Sequence, residues 1–185
     1  MTILLSGLVI FFAIHSVPLC PSFKNSLQSR FGVMRFKGIY SVIAATGFVL
    51  ILFGMSQTAF HPIYPPLEDS ATIANVAMPV AFCLLVAAYV PNNFRRVFRN
   101  PMLSGITIWA FVHLLANGDL ASIALFASFG IYSIIDMLAV NRRSAPTAPD
   151  RQPLAMDGLV LVIGFAAFWI VRYFHADLFG IPALA

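Results

Sequence analysis

The sequence predicts an all-α protein, a polytopic bundle of about six transmembrane helices with both termini on the periplasmic side. Three observations predict it. Of 185 residues, 60% are hydrophobic and only 10% are charged. Mean hydropathy is +0.89, more than a soluble domain needs to build its core. The apolar runs are long and lack the alternation of strands. Lipid offers backbone N–H and C=O groups no partner, so a span must be a helix or part of a closed barrel. Long runs without alternation are helices.

In chain order the spans are expected at roughly 2–19, 38–58, 73–90, 102–116, 120–140 and 155–175, with ends uncertain by about 2–4 residues. The first has no Lys or Arg before it and no small-residue cleavage pattern after it, so it reads as a span and not a removed signal peptide. Pro18 and Pro21 are expected to end it. Met78-Pro79 predicts a kink in the third. Asn100-Pro101 starts the fourth, with Asn as N-cap and Pro at the first helical position. The fourth is short, about 15 residues against the ~20 of a typical crossing. Asn117-Gly118-Asp119 then turns the chain. Gly118 suits the left-handed position that closes a helix, and Asp119 suits the N-cap of the next. Ser144 to Pro153 reads as a short polar linker. No internal repeat is visible, and residues 1–185 read as one domain.

Charge sets orientation. Ten of the eleven basic residues fall on one side: Lys24, Arg30, Arg35, Lys37, Arg95, Arg96, Arg99, Arg142, Arg143 and Arg151. The other side holds Glu68, Asp69, Asp119 and Asp177, with Arg172 as the exception. The positive-inside rule then places both termini outside, periplasmic for a multi-pass protein of a bacterial inner membrane. The pI of 9.4 reflects a basic face against anionic lipid and not nucleic-acid binding.

The candidate chemistry is in four histidines. His61 lies in a proline-rich outer loop and reads as solvated. His175 sits at the outer end of the last span, where a histidine is ordinary. His15 and His113 lie inside spans, where an ionisable residue points to function. Each follows an aromatic by four residues, Phe11 and Trp109, so each pair shares a helix face. Neutral imidazoles on two helices are the usual holders of b-type haem in a bundle. The plainer reading is one interhelical hydrogen bond each. Depth bears on the pair. His113 lies roughly 10 Å farther from the inner face than His15, at 1.5 Å per residue, so a shared iron axis would be tilted. Asp136 is the acid well inside a span, either the carboxylate that accepts a ligating imidazole's second N–H or a partner of Arg142 or Arg143. Cys20 and Cys83 form no motif, and without Cys-x-x-Cys-His there is no covalent haem. Tyr89 and Tyr132 read as interfacial anchors. No carboxylate pair, nucleophile–base set or phosphate loop is visible.

These residues resemble the NnrU family of bacterial membrane proteins. The matching pieces are Ile14-His15-Ser16, Lys37-Gly38-x-Tyr40-Ser41, Arg99-Asn100-Pro101-Met102-Leu103, the run Trp109 to Ala121, and His175-x-x-Leu178-Phe179-Gly180. They span nearly the whole chain. The resemblance implies an association with denitrification and nitric-oxide metabolism. The family is in turn similar to 15-cis-zeta-carotene isomerase, a haem b membrane enzyme. Its haem-ligand histidines carry over onto His15 and His113. Where that enzyme and many relatives have Arg-His-Pro, this chain has Arg99-Asn100-Pro101. Asn cannot replace a histidine as proton carrier or iron ligand, which puts isomerase activity in doubt.

Three functions follow. The first is a haem-b protein of redox or nitric-oxide-linked metabolism, with His15 and His113 as iron ligands and Trp109 and Phe11 beside the macrocycle. The second is a haem-dependent isomerase taking an apolar polyene from the bilayer. The third is a non-enzymatic assembly factor whose histidines only join helices.

Overall fold

The computed structural model describes residues 1–143, 149–180 and 183. Among them the regular structure is helical, with one isolated bridge between Pro62 and Asp119. Five helices are long and apolar enough to cross a membrane: Thr2–Leu19, Val33–Gln57, Ser70–Ala87, Leu120–Arg143 and Leu154–Tyr173. The expected short span is an apolar helix of 16 residues, Pro101–Ala116. The fold class is therefore that of a helical membrane protein. The chain forms two compact units, Met1–His61 and Pro62–Ala185.

The first unit contains α1 (Thr2–Ser16), a 3-10 turn at Val17–Leu19, α2 (Pro21–Phe31) and α3 (Val33–Gln57). α1 and α3 pack antiparallel: the amino group of Met1 donates to Thr58 Oγ1 at 3.0 Å, so the start of one helix meets the end of the other. Glycines bring the backbones together. A Cβ on Gly7 would lie 2.7 Å from the Ile51 nitrogen, and one on Gly47 would lie 2.8 Å from that of Phe11. Lipid tails supply little hydrophobic drive between spans, so such close van der Waals contact is what joins them.

Two expectations change here. Pro18 falls in the 3-10 turn and does end α1, but Pro21 opens a new helix as its first residue. A first helical turn has no use for the missing N–H, so proline is at home there. The whole of α2 lies in what reads from sequence as a connection, because its composition is polar.

The second unit contains α4 (Ser70–Ala87), α5 (Phe94–Val97), α6 (Pro101–Ala116), α7 (Leu120–Arg143), α8 (Leu154–Tyr173) and α9 (His175–Phe179). α4 packs against both α6 and α8, and α6 packs against α7. Gly105 of α6 lies against the Ala81 carbonyl, and Gly164 of α8 lies against Cys83. Between α6 and α7, Thr107 and Ser133 share a hydroxyl hydrogen bond of 2.8 Å. Pro79 sits inside α4, where it gives the Asn75 carbonyl no N–H. Of the linker expected at Ser144 to Pro153, residues 144–148 lie outside the described residues. Its far end is tied down: Arg96 donates to the Pro149 carbonyl at 2.8 Å and the Gln152 N–H to Asn93 Oδ1 at 2.9 Å.

Candidate functional site

His15 sits in the last turn of α1 and His113 in the last turn of α6. Each is half-buried. The local geometry is the same in both. Nδ1 of His15 bonds the Phe11 carbonyl at 2.7 Å, and Nδ1 of His113 bonds the Trp109 carbonyl at 2.8 Å. A carbonyl only accepts, so Nδ1 carries the hydrogen in each ring. In the neutral imidazole the lone pair is then on Nε2, the atom that points a ligand away from its own helix backbone.

Aromatic rings hold both imidazoles. Phe11 stacks on His15 with centroids 4.0 Å apart and an interplanar angle of 24°. Tyr40 of α3 meets the same imidazole edge-on at 5.5 Å. In the second unit Trp109 lies 5.2 Å from His113, and Phe126 of α7 lies 4.5 Å from it at 31°. Trp109 in turn meets Phe126 at 4.9 Å and Phe129 at 5.6 Å, both edge-on.

The expected companions Phe11 and Trp109 are thus in place, since a residue four positions earlier lies one turn back on the same face. From sequence Tyr40 stood only in the Lys37-Gly38-x-Tyr40-Ser41 piece, with no link to His15, and Phe126 and Phe129 were not singled out. The spacing of Phe126 and Phe129, three apart, was the available signal for a shared aromatic face on α7. A backbone carbonyl takes the Nδ1–H of each histidine, that of Phe11 for His15 and that of Trp109 for His113. Asp136 is half-buried on α7. Cys20 is exposed, with Sγ 3.3 Å from Ser22 Oγ, and Cys83 is half-buried; both are free thiols.

The turn after His113 is built differently from its sequence reading. Asp119 does cap α7, its Oδ1 accepting the N–H groups of Ala121 at 3.1 Å and Ser122 at 3.0 Å. Gly118 is not left-handed: among the described residues only Gly32 and Gly180 have positive φ. What requires glycine is the Tyr64 carbonyl, which a Cβ at residue 118 would strike. The loop before α4 is folded onto this turn. Ile63 and Tyr64 donate their N–H groups to the Gly118 carbonyl at 2.8 and 3.1 Å.

The same loop satisfies the orphan carbonyls at the end of α6. Leu67 N–H donates to the Leu115 carbonyl at 2.9 Å. The Tyr64 hydroxyl bonds the Leu114 carbonyl and, at 3.0 Å, that of Asn117. Asn117 returns its own N–H and side-chain amide to the His113 carbonyl at 2.8 and 2.9 Å. The helix end that carries His113 is therefore fixed on every side the loop reaches.

At the other end of α6, Asn100 occupies the N-cap position but its side chain caps nothing. Its amide instead donates to Asn141 Oδ1 at 2.9 Å, tying the start of α6 to the last turns of α7. Nearby, Asp157 accepts from the backbone N–H and the side-chain amide of Asn93, each at 2.7 Å.

Among the described residues no three His, Cys, Asp or Glu side chains gather as a metal site. Haem iron needs only one or two imidazoles from the protein. A family model described as NnrU protein matches residues 3–183, across both units. No curated protein and no solved structure matches the chain.

Proposed function

The chain belongs to the NnrU family, and from that premise we propose that it binds haem b in the bacterial inner membrane, with His15 and His113 as iron ligands. The role is in nitric-oxide-linked, denitrifying or redox metabolism. One observation carries the reading. Both intramembrane imidazoles have Nδ1–H held by the carbonyl one turn back and the aromatic ring of that same residue beside them, stacked at His15 and tilted at His113. That hydrogen bond fixes the tautomer and the ring plane and raises the basicity of Nε2, as metal-ligating histidines require.

Haem b, when bound, supplies one-electron redox chemistry and a site for a diatomic gas. The chain's part is to orient Nε2, to surround the rings with apolar and aromatic groups, and to keep water out. Isomerisation is outside this proposal: residue 100, where the isomerase has histidine, holds an asparagine engaged with Asn141.

The test is an optical spectrum of the detergent-purified protein, oxidised and reduced, beside His15→Ala and His113→Ala. The expected result is a sharp reduced b-type spectrum, lost or altered in each variant while the fold is retained by circular dichroism. Protein that takes up no stoichiometric haemin would overturn the proposal and leave the histidines a structural role.

A further inference from the structure

The first unit has a charge pattern that its helical core does not use. Residues 1–61 contain no Asp or Glu and four cations, Lys24, Arg30, Arg35 and Lys37. Two of the four are on α2 and two open α3. α2 itself contributes no buried residue.

On a helix advancing about 100° per residue, Phe23, Leu27 and Phe31 form one apolar stripe. Lys24 and Arg30 fall on its two borders, one to each side. Ser22, Asn25 and Ser29 lie on the opposite face. The two ends of the stripe are uncovered, Phe23 at 52% and Phe31 at 42% exposed, and Leu27 between them is half-buried. Arg30 sets its guanidinium over the Phe31 ring, with Cζ 5.6 Å from the centroid, at the border of the stripe. Val33 and Met34, just past Gly32, are also exposed, Met34 at 78%.

We infer that α2 lies in the plane of the membrane surface and binds anionic phospholipid. Its Phe23-Leu27-Phe31 stripe enters the boundary between headgroups and acyl chains. Lys24 and Arg30 reach sideways to phosphates, with Arg35 and Lys37 beside them. An apolar stripe bordered by cations, with a polar back, is the pattern of an interfacial helix. The absence of any acid in residues 1–61 makes the lipid's negative charge the complement of this unit. Each cation near an anionic surface adds attraction that falls off within a Debye length. This inference does not depend on haem.

The test uses the full-length chain with Cys20→Ser and Cys83→Ala. A fluorophore is placed at Leu27→Cys or at Asn25→Cys, and the protein is reconstituted in vesicles containing acyl-brominated lipid. The label at residue 27 is expected to be quenched on the order of twofold more than that at residue 25. Brominated phosphatidylglycerol is expected to quench residue 27 more than brominated phosphatidylcholine at equal mole fraction. That preference should disappear in Lys24→Gln/Arg30→Gln. Equal quenching at the two positions, or no preference for the anionic lipid, would overturn the inference. Native mass spectrometry of the unmodified chain gives a second reading that needs no label. From an equimolar mixture, phosphatidylglycerol adducts should exceed phosphatidylcholine adducts, and the excess should fall in the double variant. Equal adducts would count against it.

Discussion

Gly118→Ala is the substitution that most directly tests how the end of α6 is built. Gly118 has no positive φ, so alanine costs nothing in backbone conformation. The cost comes from the Tyr64 carbonyl, which lies where the methyl must go. That atom is backbone, so it moves only if the loop moves. Moving the loop stretches the two bonds it makes to the Gly118 carbonyl, at 2.8 and 3.1 Å. Each is a net contribution of about 1 kcal/mol. Residual overpacking adds about 1–3 kcal/mol. The expected destabilisation is ~3–5 kcal/mol, and more if the Tyr64 hydroxyl also leaves the Leu114 and Asn117 carbonyls.

The assay is unfolding by SDS titration in mixed micelles, followed by the emission of Trp109 and Trp169. Gly38→Ala is the control: Gly38 is helical and a Cβ there meets nothing within 4 Å. It should be neutral or stabilising by up to about 1 kcal/mol. Tyr64→Phe alone should cost about 1–2 kcal/mol. In the Gly118→Ala background it should cost less, because the loop is already displaced. The reasoning fails if Gly118→Ala lies within about 0.5 kcal/mol of the unsubstituted protein, or if the two substitutions are strictly additive.

Two further predictions concern packing and capping. Gly47→Ala should separate α1 from α3, because its Cβ would lie 2.8 Å from the Phe11 nitrogen. A loss of about 1–3 kcal/mol is expected in the same titration, together with a weaker contact between Phe11 and His15, read as a shifted His15 ring resonance by NMR. Asp119→Ala removes the acceptor for the Ala121 and Ser122 N–H groups and should cost about 1 kcal/mol; Asp119→Asn should recover most of that, and no difference between the two would show that the cap contributes nothing.

The turn, the caps and the two histidine surroundings divide along one line. Whatever depends on residues close in sequence was legible. Hydrophobicity and run length alone locate the spans, because a bilayer leaves the backbone no choice but a helix. The four-residue interval fixes Phe11 beside His15 and Trp109 beside His113, because helical periodicity is local. Asp119 as a cap follows from its place at the start of a run.

Whatever depends on residues far apart needed the tertiary structure. Gly118 looks like a left-handed closing residue until the Tyr64 carbonyl is seen against it. Asn100 looks like a cap until its amide is found on Asn141, forty-one residues away. Tyr40 beside His15 and Phe126 beside His113 come from α3 and α7. No local pattern aims them there; the crossing of helices does, and that crossing is set by which glycines let backbones meet. α2 escaped notice for the converse reason. Its polar residues give no membrane signal, and an amphipathic helix is recognised by the surface it leaves exposed. The sequence by itself thus determined the apolar spans and the local partners of each imidazole. The tertiary structure decided which distant backbone and ring atoms complete them, because packing alone brings those atoms into contact.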